Sequence, residues 1–424
     1  MNIEEHPTWK AGIAKPDYPK LSDNTSTDTV IVGGGLAGLF AAYELAKAGQ
    51  KVVVLEKKKI GSGATEYTTA FLTQVVDTSL DELIKLFGEE KAKLIWQSHA
   101  QAIDRIETIA RDEKIDCEFT RCSAYIYAND SKEFETIGEM SSTAQRLTVP
   151  VSNPRQDGRL NFANTGYFEV PNQAKFHPLK FLLGLAERIT ALGGQIYQDS
   201  EVADIKHAED EVVVKTEANE VRAKNVVIAT YQPFHNRIRM FLKRGMYKSY
   251  VLEARLPKRL LREGLYFDVA NPYHYFRIDS NEDSDRMILG GADTKSIFKI
   301  DPEKSFADLN EYLNKILGPG HFEISRKWVG PILEPSDGIA LIGQTREHEY
   351  IASAFSGNGM TYSGIAASII SDKILGRNNI YAEVYDPQRI PSLKQLFIKG
   401  SDYVEEFFGG AAKNVFRKKS ESPT

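Results

Sequence analysis

Cysteine is almost missing from this chain. Among 424 residues only Cys117 and Cys122 carry a thiol. Two thiols five apart cannot staple so long a fold, which excludes a disulfide-built scaffold and fits a reducing cytoplasm. They read as two semi-buried thiols, with a redox pair as the other reading. Long apolar runs are missing as well. None reaches the roughly 20 residues that cross a bilayer, so no transmembrane segment is expected. The first residues, Met1-Asn2-Ile3-Glu4-Glu5-His6, are acidic and polar, which excludes a signal peptide. There is no excess of positive charge: 53 Lys and Arg against 58 Asp and Glu leave a net charge of −5. Nothing therefore points to nucleic acid as a partner. Internal repeats and low-complexity blocks are absent too. What remains is an ordinary globular composition, long enough for two or three structural units.

Against that background one stretch stands out. The apolar run Thr29-Val30-Ile31-Val32 leads into Gly33-Gly34-Gly35-Leu36-Ala37-Gly38. A helical pattern from Leu36 to Ala48 follows and stops at Gly49. A second apolar run, Val52-Val53-Val54-Leu55, ends in Glu56. Strand, glycine turn, helix, strand and acid in this order predict a dinucleotide-binding βαβ unit. Gly33 allows the tight turn, Gly35 lets a pyrophosphate approach the backbone, and Gly38 lets helix and strand pack closely. The helix N-terminus offers free N–H groups and partial positive charge to the phosphates. Glu56 can accept bonds from the ribose hydroxyls, which favours FAD or NAD over NADP.

The rest of the chain is read more coarsely. Residues 1–27 form an extended arm rich in Pro and Lys. Residues 57–75 are a loop rich in Gly, Ser and Thr. A helical pattern runs from Ser79 to about Lys114, a strand covers 119–128 and a helix 131–147. Pro178 to Leu192 reads as an amphipathic helix. Strands follow at Gln195–Tyr197, Val202–His207, Val212–Thr216 and Val226–Thr230. Alternating runs between 250 and 330, such as Tyr273–Ile278 and Met287–Gly290, predict an antiparallel sheet. Gly338–Gly343 and Tyr350–Ala354 read as strands, and a glycine turn, Ser356-Gly357-Asn358-Gly359, starts a helix from about Met360 to Leu375. The expected fold is α/β. A Rossmann-like cofactor domain is assembled from 28–78, 172–245 and 331–385. An α+β substrate domain with an antiparallel sheet comes from 79–171 and 246–330. Residues 386–424 form a C-terminal helical segment and a disordered tail.

These motifs resemble the FAD-dependent oxidoreductases of the D-amino-acid oxidase superfamily, the glycine oxidase and sarcosine oxidase group, from about Asp28 to Gly376. The first is the Gly33–Gly38 unit with Glu56, and the second is Val226-Val227-Ile228-Ala229-Thr230. The third is Asp337-Gly338-Ile339-Ala340-Leu341-Ile342-Gly343 followed by Ala354-Phe355-Ser356-Gly357-Asn358-Gly359-Met360. Trp9, Pro16, Tyr18-Pro19, Gly63–Ala70 and Phe176-His177-Pro178 are similar to a subgroup that often carries a C-terminal Rieske domain. That domain needs paired Cys and His ligands. Both cysteines here lie near residue 120 and no His follows Tyr350, so the Rieske module is expected to be absent.

The resemblance implies non-covalent FAD, since no cysteine lies near a plausible attachment site. It places Ser62, Thr65, Thr68, Thr69 and Ala70 along the flavin phosphates and ring edge, Lys57 near the adenosine and Val202 at adenine. Thr230 belongs to the turn beside the nucleotide. Gly357, Asn358, Gly359, Met360 and Thr361 would offer N–H donors to the negative charge of reduced flavin. Strand alternation puts Tyr273, Tyr275 and Arg277 on one face. Tyr275, Arg277 and Trp328 are the candidate catalytic residues, no metal is expected, and His177 and His274 read as structural. The family's carboxylate-binding arginine is missing before Asp337, where Ile332 stands instead, and no oxygen-activating lysine is found near Met287–Gly290.

The activity implied is hydride transfer from a small amine or amino acid to flavin N5, with oxygen or a separate protein as electron acceptor. The alternatives are a 2-hydroxy-acid dehydrogenase of the same superfamily and a flavin electron-transfer component working with a separate redox partner.

Overall fold

The computed structural model describes residues 3–231, 246–295, 301–335 and 337–389. Its first sheet is built around Thr25–Val32, which pairs in parallel with Val52–Leu55 on one side and with Glu220–Ile228 on the other. Gln195–Tyr197 extends it beyond Val52–Leu55, and Glu349–Ser353 with Leu341–Arg346 extends it beyond Glu220–Ile228. Parallel pairing thus collects three distant stretches of chain into one sheet.

Both faces of this sheet are covered, which explains its continuous Val and Ile runs. Ile31, Val52 and Val54 pack in the core that contains the helices Leu36–Lys47, Pro178–Ala191 and Gly359–Ile374. Val30, Val32, Val53 and Leu55 face the other way and pack with Ile205, Val212 and Val214 of the hairpin Asp204–His207 and Val212–Lys215.

The second sheet runs in the order Glu323–Leu333, Met246–Leu256, Asp285–Lys295, His274–Ser280, Gly264–Asp268, Thr120–Ala128, Gly166–Lys175 and Phe71–Leu72. Every pair is antiparallel except Gly264–Asp268 with Thr120–Ala128. Alternation separates its faces. Phe276, Ile278, Leu252 and Leu289 pack with Leu309 and Leu313 of the helix Pro302–Leu317. Val251, Leu265 and Ile288 join the core of the cofactor domain. Two strands, Gly166–Lys175 and Glu323–Leu333, run across the segment joints expected at 171/172 and 330/331.

Two elements differ in detail from their sequence reading. The helical pattern after Ser79 is two helices, Leu80–Phe87 and Glu89–Asp112, because Gly88 adopts φ 83° and ends the first turn stack. The arm is extended but not loose. It contains a 3-10 turn, Thr8–Lys10, in which Trp9 is fully buried. The expected tail from residue 390 onward lies outside the described residues.

Candidate active site

The glycine turn is built as its chemistry demands. Gly33 has φ 114°, and a Cβ there would come 2.7 Å from the Ala229 carbonyl oxygen. A Cβ on Gly38 would collide with the Gly33 carbonyl oxygen, so helix and strand touch at this point. At Gly35 the nearest atom to such a Cβ is Thr65 Oγ1 at 3.5 Å, so its approach is open. Gly35 caps the helix without a side-chain bond. The Leu36 N–H donates to Thr65 Oγ1 at 3.1 Å. Glu56 is fixed at the end of its strand, where Oε2 accepts from Gly34 N at 2.7 Å and Oε1 from Lys58 N at 2.8 Å. Each carboxylate oxygen keeps a second acceptor position for a ligand.

From this turn a cavity of about 600 Å³ extends into the space between the two sheets. Gly33, Gly35, Leu36, Ala37, Glu56, Lys57 and Val202 line one end. Ser62, Thr65, Thr68, Thr69 and Thr230 line its length, and Tyr275, Gly357, Gly359 and Met360 the far part. Four expected cofactor residues stand behind the wall. Gly38 is the packing glycine. Ala70 is fully buried with φ 59°. Asn358 is engaged with the 75–77 segment, its Oδ1 accepting from Asp77 N at 3.0 Å. Thr361 Oγ1 lies 2.7 Å from His99 Nδ1, and burial lowers the His99 pKa to about 3, leaving that ring neutral.

The loop expected to follow the flavin is clamped from four directions. Thr65 holds the helix start. Trp328 Nε1 donates to the Tyr67 carbonyl at 3.0 Å, and Trp9 Nε1 donates to the Thr68 carbonyl at 2.6 Å. Arg277 Nη1 donates to the Ala70 carbonyl at 2.9 Å and the Phe176 carbonyl at 3.2 Å. Two candidate catalytic residues therefore have another place. Trp328 is 4% exposed and lies behind the loop, while its strand neighbours Gly330, Pro331 and Ile332 line the cavity.

Arg277 is 3% exposed and does not reach the cavity. It shares a face with Tyr275, but two residues of strand carry it roughly 6–7 Å farther along. There Asp279 captures it, with Nε and Nη2 on Oδ1 at 2.9 and 2.7 Å. Lys175 at 2.7 Å and Arg286 at 2.7 Å converge on the same carboxylate. Arg277 and Arg286 also lie 5.2 and 5.6 Å from the Trp9 ring centre.

Tyr275 does line the cavity. Its ring lies over Gly290, where any Cβ would collide with it, and its hydroxyl meets Ser249 Oγ at 3.0 Å. Burial pushes the phenol well above its ordinary pKa, so it serves as a neutral hydrogen-bonding group. Ser249, Tyr231 and Phe355 are lining residues that the sequence did not single out. Among the described lining residues the cations are Lys57 and Lys58, both beside Glu56. His177 caps the helix Pro178–Ala191, accepting from Lys180 N at 3.3 Å, and His274 pairs with Asp268 at 3.0 Å. Among the described residues no cluster of His, Cys, Asp and Glu could hold a metal, and no helix is long and apolar enough to cross a membrane.

Comparison with known proteins agrees with this geometry. The family model described as FAD dependent oxidoreductase matches residues 28–373. The chain belongs to this family. It is 29% identical over 423 residues to the putative Rieske 2Fe-2S iron-sulfur protein YhfW of Bacillus subtilis, covering 98% of this chain and 81% of that protein. It is 24% identical over 372 residues to gamma-glutamylputrescine oxidoreductase of Escherichia coli, covering 85% and 86%. Among solved structures, glycine oxidase from Geobacillus kaustophilus superposes with a TM-score of 0.74 at 21% identity, covering 87% of this chain and all of that one. As a member of this oxidoreductase family the protein uses FAD. The open approach at Gly35, the anchored Glu56 and the continuous cavity suit a dinucleotide, and neither cysteine lines the site, as non-covalent binding requires.

Proposed function

We propose that this FAD-dependent oxidoreductase of amine or amino-acid oxidase type oxidises the C–N bond of a small amine or amino acid. Glu56, Thr65, Thr68, Thr69 and the Gly357–Gly359 turn would hold FAD, which when bound would supply a two-electron acceptor for a hydride from the substrate carbon next to nitrogen. The oxidised substrate is an imine, and water hydrolyses it to a carbonyl compound and ammonia or a smaller amine.

The observation that carries this reading is the uncharged lining around Tyr275, with Asp293 bonded to Ser249 behind it. Ser249, Val251, Tyr275, Ile332 and Phe355 line that part of the cavity. A neutral amine needs orientation and exclusion of water more than acid–base groups. Tyr275 and Ser249 can hold its nitrogen or a nearby polar atom, while Ile332 and Phe355 offer apolar contact. The rival hydroxy-acid reading needs a base for the hydroxyl and a cation for the carboxylate. His177 and Arg277, which could have filled those roles, are both committed to structural bonds.

The test is anaerobic addition of amines and amino acids to the purified flavoprotein, followed by absorbance. Bleaching of the flavin bands by an amine or amino acid supports the reading. Bleaching by hydroxy acids alone overturns it.

A further inference from the structure

Asp77 sits in the segment that joins the small strand Phe71–Leu72 to the helix Leu80–Phe87. Its Oδ2 accepts from the Gly357 N–H at 2.7 Å, and its own N–H donates to Asn358 Oδ1 at 3.0 Å. The Asn358 amide reaches back to the Val75 carbonyl at 3.4 Å. The two segments are therefore locked together at the turn that opens the helix Gly359–Ile374, whose N-cap, Asn358, spends its side chain on these bonds and caps none of its own helix's N–H groups. The fit is close: a Cβ on Gly357 would lie 2.9 Å from Asp77 Oδ2. Among the described residues no cation pairs with this carboxylate.

We propose that Asp77 is a positioning residue whose charge, placed at the Gly357 turn, sets how readily the flavin accepts electrons. This rests on the FAD reading, in which that turn meets the flavin edge where negative charge gathers on reduction. A helix N-terminus favours such charge. A carboxylate bonded to the Gly357 N–H takes one donor from that end and adds a like charge beside it. Protonation of Asp77 removes the opposition.

The surroundings favour a change of state near neutrality. The Asp77 side chain is exposed, while Val76 and Thr78 on either side of it are buried. Desolvation by the protein packed around this exposed carboxylate raises its pKa to about 7 against the Gly357 bond, and the neighbouring Glu334 and Asp293 push it up further. The phenols of Tyr273 and Tyr362 face the same carboxylate and stay neutral. Charge on the reduced flavin would raise the Asp77 pKa again, so reduction draws in a proton over the range above pH 7.

The test is the reduction potential of the FAD-loaded protein from pH 6 to pH 9, for the wild type, Asp77→Asn and Asp77→Ser. The curves should coincide at low pH and diverge above neutrality, the variants becoming easier to reduce. The expected gap is about tenfold in the reduction equilibrium, about 30 mV for a two-electron couple. The serine variant keeps an acceptor for Gly357 without the charge, so it should follow the asparagine variant. Curves that coincide at every pH overturn the proposal. So does loss of FAD from both variants, which would assign Asp77 to cofactor retention. A wild-type protein that takes up no flavin fails at an earlier point, the FAD reading itself.

Discussion

Asp279 and Arg277 look interchangeable as partners in one buried ion pair, yet the structure predicts unequal losses. Three cations, Lys175, Arg277 and Arg286, meet Asp279, and Lys175 also meets Glu263 at 2.7 Å. Removing Arg277 leaves two cations with two carboxylates. The main cost of Arg277→Met is then the orphaned Thr69, Ala70 and Phe176 carbonyls, at about 1 kcal/mol each, or about 3 kcal/mol in all. Asp279→Asn leaves three cations with Glu263 alone and turns an amide N–H₂ toward guanidinium donors. Breaking a buried pair in this way costs about 3–5 kcal/mol, and this site should lie at the upper end.

The pH dependence has a definite sign. Burial opposes the Asp279 charge, but Arg277, Arg286 and Lys175 outweigh it and hold the carboxyl well below the usual range. Its stabilisation is therefore complete above about pH 4, the unfolded value, and fades as pH falls below that. Urea unfolding of the FAD-loaded proteins, followed by circular dichroism, measures both variants. An Asp279→Asn protein as stable as Arg277→Met would refute the charge count. An Arg277→Met protein of unchanged stability but greatly raised KM would return Arg277 to the substrate.

Three further outcomes are expected. Gly35→Ala should fold normally but lose FAD, since its Cβ meets open space that the cofactor needs. Gly38→Ala should fail to fold stably, by about 3 kcal/mol or more, because backbone stands where its Cβ must go; thermal melts of the apo proteins and FAD titration separate the two. Cys117 and Cys122 are free, and burial raises their thiols to about 11 and about 12. Both should react with a thiol reagent at pH 8 only as the protein unfolds.

The parts of the site that depend on local chemistry were legible in the sequence. Gly33, Gly35, Gly38 and Glu56 act within one βαβ unit, and the turn at Gly357–Gly359 precedes its helix directly. Arg277 and Trp328 show where such reading stops. Alternation gives the face of a strand but not how far along it a cavity extends. Asp279 becomes the partner of Arg277 only once sheet pairing and packing bring Arg286 and Lys175 to it. Ser249 had no local mark at all, since its meeting with Tyr275 is set by two strands that both pair with Asp285–Lys295. Asp77, one acid between Val76 and Thr78, gains its meaning from Gly357, far along the chain.

Trp9 lies within the first ten residues, and its seat is assembled from Thr68, Arg277 and Arg286. A ribosome therefore delivers the key to the cofactor loop hundreds of residues before the lock. Contacts of such long separation form slowly and late. Until residue 286 has emerged Trp9 has no finished seat, and until residue 328 the Thr65–Ala70 stretch still lacks its Trp328 clamp, so the nascent chain has no finished bed for the flavin. Cofactor capture should then belong to the end of folding, and the arm that carries Trp9 is among the last pieces to settle.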